Sequence, residues 1–160
     1  MIVILENIRS AHNVGAIMRT ADAIGAEKVY LIGTTPAPID KFGRTQKEIA
    51  KTALGAEKNL PWEHRETTRP LITALKKSSH RVYALEQSPD SIDIAKFAPL
   101  SDEKYAIILG NEVDGVSKNA LATVDGKIEI PMFGKKESLN VSVAFGILAY
   151  ADYINKKRQK

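Results

Sequence analysis

Five short apolar runs constrain the fold of this 160-residue chain more than any other feature. They are IVIL at Ile2 to Leu5, KVYLI at Lys28 to Ile32, RVYAL at Arg81 to Leu85, YAIIL at Tyr105 to Leu109 and KIEI at Lys127 to Ile130. Each has strand length and is rich in the β-branched and aromatic residues that suit a pleated sheet. Helical patterns lie between most of them. Val14, Ile17, Met18, Ala21 and Ile24 fall on one face of a first helix, with Gly25 where a C-terminal cap belongs. A second helix is expected over Thr45 to Ala53, a third follows Pro70 as a first-turn residue, and a fourth begins near Ser117. This alternation predicts an α/β fold, a mostly parallel sheet with helices on both faces, because strands as continuously apolar as YAIIL must be buried on both sides. Ligands of such sheets bind at the carboxyl ends of the strands. The loops that matter are therefore 6–12, 33–40, 86–90, 110–116 and 131–137. The Pro-rich stretch TTPAPIDKFG is expected to be a mobile surface loop.

Composition narrows the chemistry. A hydrophobic content of 44% over 160 residues fills one core, so residues 1–160 are expected to form a single domain. No apolar run approaches the roughly 20 residues of a membrane span, and Met1 leads straight into a strand without a basic leader. A soluble, unprocessed, cytoplasmic protein is expected. With no cysteine, and with His12, His64 and His80 sharing no ligand spacing, no metal is expected either. The net charge is +4, but Lys156, Lys157, Arg158 and Lys160 supply all four charges. That basic tail suits a solvated helix end or a contact with nucleic acid.

Three segments carry candidate chemistry. In ENIRSAHNVGAIMRTADAIGA, Asn13 stands at the start of the first helix, where it reads first as a cap. Arg19 lies nearly opposite the apolar face, the place of a solvated arginine or of a guanidinium meeting a phosphate or ribose. In YAIILGNEVDGVS a buried strand runs into a loop with Gly110, Asn111, Glu112, Asp114 and Gly115, in which the glycines form a turn or let backbone approach a ligand closely. GNEVDG is neither a Walker loop nor a dinucleotide fingerprint. In IEIPMFGKKESLNVSVAFGILAY, Pro131 stops a strand and Gly134 with two lysines turns the chain. Ser138, Asn140 and Ser142 then crowd the start of an apolar helix containing Val143, Phe145, Ile147, Leu148 and Ala151. One cap suffices there, and Ser138 is placed to bond the N–H of Asn140 or Val141. Ser142 has no evident partner.

Together, NVGAIMR, LGNEVDG and IPMFGKKESLNVSVA resemble the three signature motifs of the SpoU/TrmH branch of the SPOUT RNA methyltransferases, over Leu5 to about Tyr150. The resemblance implies a deep C-terminal trefoil knot and methyl transfer from S-adenosylmethionine to a ribose 2′-hydroxyl of tRNA or rRNA. It assigns cofactor contact to Gly110, Ile130 and Leu139, with Leu85, Met132 and Ser138 nearby. Arg19 matches the family's catalytic arginine, and Asn13, Glu112, Ser138 and Asn140 match its supporting polar residues. It further implies a homodimer with an RNA partner and, since the domain begins at Met1, no amino-terminal RNA-binding extension. Two alternatives remain: a catalytically inactive SPOUT-like RNA-binding module, and a Rossmann-like domain for another adenine nucleotide. Arg44, Lys47, Lys51 and the cations of Lys156 to Lys160 are the candidate RNA contacts.

Overall fold

The computed structural model describes residues 1–100 and 102–158, excluding the Arg158 side chain. Seven parallel-paired strands form one sheet: β1 (Ile2–Glu6), β2 (Lys28–Ile32), β3 (Trp62–Arg65), β4 (Arg81–Leu85), β5 (Ile92–Asp93), β6 (Tyr105–Leu109) and β7 (Gly126–Glu129). Their order is β3-β2-β1-β6-β4-β7-β5. The helices are α1 (Ala11–Ala23), α2 (Lys47–Ala53), α3 (Ala56–Asn59), α4 (Thr68–Lys77), α5 (Lys118–Leu121) and α6 (Val141–Arg158). The α/β architecture expected from the alternation of runs is the one observed. No described helix is long and apolar enough to cross a membrane.

The period of two along each central strand builds two cores. Val3 and Leu5 of β1, with Tyr105, Ile107 and Leu109 of β6, face Val14, Ile17 and Met18 of α1, Ile49 of α2, and Phe145 and Leu148 of α6. Ile2 and Ile4, with Val82, Ala84, Ala106 and Ile108, face Leu71, Ile72 and Leu75 of α4 and Ala120 of α5. Both faces of β1 and β6 are buried, which is why those strands read as unbroken apolar runs.

Local signals place the helix ends. Gly25 takes φ +70° and Ala26 N–H reaches Ala21 O at 2.9 Å, a glycine-terminated helix end. Ser117 caps α5 by accepting from Ala120 N–H at 3.2 Å. Gly15 lets α1 and α2 touch, since a Cβ there would lie 2.1 Å from Thr52 Oγ1, which donates to His12 O at 3.1 Å. The stretch TTPAPIDKFG runs into a hydrogen-bonded turn, with Ile39 bridging Thr45 and Gln46 N–H donating to Pro38 O at 2.8 Å.

Candidate functional site

The carboxyl ends of β4, β6 and β7 and the start of α6 enclose a cavity of about 460 Å³. Its walls include Leu85, Gly110, Ile130, Met132, Ser138 and Leu139, the six residues expected to contact cofactor, together with Glu112 and Asn140. Leu109, Ile128, Val141 and Ala144 add apolar surface. Glycine is required at position 110. A Cβ there would sit 2.0 Å from Gly115 C and 2.1 Å from Val116 N, where the loop after β6 folds back over its own entry. Asn111 holds that loop by accepting the Val113 and Asp114 N–H groups on Oδ1, each at 2.8 Å.

At the cavity mouth the three candidate segments join through side chains. Glu112 Oε1 accepts from Asn13 Nδ2 at 2.7 Å and from Ser10 N–H at 3.4 Å, and Oε2 accepts from Arg9 N–H at 3.2 Å. Asn140 Nδ2 donates to Asn13 Oδ1 at 3.1 Å. Asn140 Oδ1 in turn accepts Ser142 N–H at 2.9 Å and Ser142 Oγ at 2.6 Å. The result is a continuous line from Glu112 through Asn13 to Asn140. Partial burial pushes the Glu112 carboxyl up, but the Asn13 amide and the backbone N–H groups of Glu112, Arg9 and Ser10 outweigh it, leaving it below its ordinary range.

Two capping expectations are corrected. Ser10, not Asn13, caps α1, accepting Asn13 N–H at 3.2 Å, which frees the Asn13 amide to bridge Glu112 and Asn140. At α6 the cap is Asn140, whose Oδ1 accepts Ser142 N–H, because the helix begins at Val141, three residues after Ser138. That bond gives Ser142 its partner. Arg19 is exposed on α1 and makes no hydrogen bond or ion pair with the described residues, so it stands apart from this line. Of the terminal cations, Lys156 pairs with buried Asp152 at 3.0 Å and lies 5.1 Å over the Tyr105 ring, fixing α6 to the sheet. Lys160 and the Arg158 side chain lie outside the described residues.

Two further carboxylates anchor the loop after β6, and neither drew notice as a single residue in the sequence. Buried Glu6 accepts Ser117 N–H at 2.8 Å and Ser117 Oγ at 3.0 Å, and also bonds Thr68 Oγ1. Glu86 accepts Val116 N–H at 2.8 Å and lines the cavity. Their signal was positional: each closes or directly follows an apolar strand at the edge where ligands bind.

The profile of the SpoU rRNA methylase family matches residues 1–150. A tRNA (guanosine(18)-2′-O)-methyltransferase of Escherichia coli K12 is 30% identical over 148 residues, covering 92% of this chain and 60% of that protein. The chain thus spans less than two thirds of that relative's length. The crystal structure of the A. aeolicus TrmH/SpoU tRNA modifying enzyme superposes with a TM-score of 0.84 at 28% identity, covering 99% of this chain and 76% of that one. An AdoMet-bound rRNA methyltransferase from Sinorhizobium meliloti gives a TM-score of 0.83 at 25% identity, covering 98% and 55%.

Proposed function

The chain belongs to the SpoU rRNA methylase family, and on that premise we propose that it transfers a methyl group from S-adenosylmethionine to a ribose 2′-hydroxyl of tRNA or rRNA. One observation carries the reading: a hydrogen-bonded line of Glu112, Asn13 and Asn140 stands at the mouth of a cavity sized for a small cofactor. The walls fit that cofactor. Leu85, Leu109, Ile130 and Leu139 offer apolar surface to the faces of an adenine, and Gly110 lines the same wall. The bound cofactor supplies an electrophilic methyl on a sulfonium. The AdoMet-bound Sinorhizobium structure supports this assignment.

The residues of the chain position the acceptor. Glu112 is exposed where it lines the cavity, so a ribose hydroxyl can reach its carboxylate beside the donors from Asn13, Ser10 and Arg9. Held below its usual range, Glu112 is a weak base and orients that hydroxyl without taking its proton. The ribose oxygen bonds to the methyl carbon as the carbon–sulfur bond breaks, S-adenosylhomocysteine leaves, and the proton passes to solvent. In-line placement lowers the barrier by fixing the reacting atoms before the bond forms. Arg19 holds a substrate phosphate and polarises the hydroxyl, since a guanidinium does not deprotonate near neutrality.

Arg19 stands apart from the line within its own chain, so we place it against the site of a second copy. The exposed face of α6 supports a homodimer: Val143, Ile147, Tyr150 and Tyr153 are 50%, 40%, 66% and 51% exposed at helical spacing. A knot through the segments around the cavity belongs to the same family reading. Calorimetry tests the cofactor, with S-adenosylmethionine expected to bind and NAD and ATP to bind more weakly. Arg19→Ala is expected to lower methyl transfer at saturating RNA by about a hundredfold, the usual order for a positioned catalytic group. Retention of the rate within a few-fold would remove Arg19 from the chemistry. Cofactor binding without transfer to any RNA would leave the inactive RNA-binding module as the better reading.

A further inference from the structure

The turn between β2 and α2 presents a surface that the methyl-transfer site leaves unused. Ile39 pairs with Thr45 in antiparallel fashion, Asp40 N–H donates to Arg44 O at 2.9 Å, and Gly43 N–H donates to Asp40 O at 2.9 Å. The Asp40 carboxylate fills the inside of the turn. Its Oδ1 accepts Phe42 N–H at 2.8 Å and Arg44 N–H at 2.9 Å, and its Oδ2 accepts Arg44 Nε at 2.8 Å. The tip is therefore shaped by its own bonds before any ligand arrives, which lowers the ordering cost of binding.

What the tip displays is a single aromatic ring among cations. Phe42 is 69% exposed, with the Lys41 ammonium 5.1 Å and the Arg44 guanidinium 5.0 Å from its ring centroid. An exposed cation–π contact is worth only about 0.5–1 kcal/mol, so Lys41 remains free to turn toward a phosphate, while Arg44, held to Asp40 through Nε, keeps a side chain that is 73% exposed. Lys47 and Lys51 continue the positive surface on exposed positions of α2. The close contact of Gly15 with Thr52 fixes α2 to α1, the helix that carries Asn13 and Arg19.

An exposed ring flanked by exposed cations suits a polyanion with flat apolar faces. A protein partner would need a wider apolar area around the ring, and a nucleic-acid duplex keeps its base faces stacked out of reach. We propose that this turn docks an unpaired nucleotide of the RNA substrate, with Phe42 stacking on the base and Lys41, Arg44, Lys47 and Lys51 engaging flanking phosphates. The inference rests on the RNA reading above and adds where, and in what form, the RNA is held.

Fluorescence anisotropy with a short fluorescein-labelled single-stranded RNA, compared with a blunt duplex of the same length, tests it. The single strand is expected to bind more tightly. Phe42→Ala is expected to weaken that binding by about tenfold, while Phe42→Tyr stays within about twofold, because stacking needs a ring. Lys47→Ala is expected to weaken both RNAs and reduce the salt slope by about one. Thermal melting checks the fold of Phe42→Ala, whose side chain fills no core. Unchanged single-strand binding by folded Phe42→Ala, or equal affinity for the duplex, overturns the docking role alone. No RNA binding by the wild-type protein would overturn it together with the RNA reading.

Discussion

Replacing Gly110 with alanine adds one methyl group at the tightest point of the site. Its carbon would lie 2.0 Å from Gly115 C, 2.1 Å from Val116 N and 2.2 Å from Gly115 O. Carbon contacts are comfortable near about 3.5 Å, so backbone must move by more than an ångström. The moving segment is tied down by Val116 N–H on Glu86 and Ser117 N–H on Glu6, both at 2.8 Å. Losing one bond to a charged acceptor costs about 1.5–3 kcal/mol, and crowding a packed site costs about 1–3 kcal/mol. A net loss of about 3 kcal/mol is expected, which lowers Tm by about 6–12 °C in a domain of this size. The same displacement carries Glu112 away from Asn13 and narrows the cavity. Differential scanning calorimetry and calorimetric titration with S-adenosylmethionine read both effects, with cofactor affinity expected to fall at least tenfold. Gly134→Ala is the matched control, since nothing lies within 4 Å of its added carbon, and its Tm should stay within a degree or two of wild type, as for most surface changes. If Gly110→Ala melts and binds like wild type, the self-crossing loop does not shape the cavity.

Glu112 offers a pH test. Its carboxyl lies below its usual 4.5, so its contribution to stability is complete above that value and is lost as pH falls through the lower folded-state pKa. Carboxyl NMR should show a midpoint below 4.5 that rises in Asn13→Ala, and a midpoint unmoved by that change would deny the Asn13 bond its role. The α6 face offers an assembly test, in which Ile147→Glu with Tyr150→Glu should convert a dimer to monomer in sedimentation while the helical circular dichroism persists. A wild-type monomer at working concentration would contradict the second-copy placement of Arg19.

Much of the fold was legible because its central strands are buried on both faces. IVIL and YAIIL could be placed to within a residue, since nothing polar interrupts them. The edge strands were not legible: β3 is WEHR and β5 is only Ile92 and Asp93, both partly exposed and without an apolar signature. Helix α3 has four residues and follows a left-handed turn at Leu54 and Gly55, too short for any period to register. Ile130 was read into β7, but the strand ends at Glu129 and Ile130 turns into the cavity wall. In the site, local pattern correctly marked a surplus of polar residues before α6, yet gave the cap to Ser138. Only the chain's return past α1 shows why Asn140 must both cap α6 and hold Asn13. Glu6 and Glu86 looked ordinary because the backbone donors they satisfy lie 111 and 30 residues away along the chain.

The central claim is methyl transfer to an RNA ribose, and mass-spectrometric mapping of ribose methylation in cellular RNA with and without this protein tests it most directly. The account predicts that one or a few defined 2′-O-methylated nucleotides in tRNA or rRNA disappear without the protein and return with the wild-type chain but not with Arg19→Ala. An unchanged methylation map would contradict it.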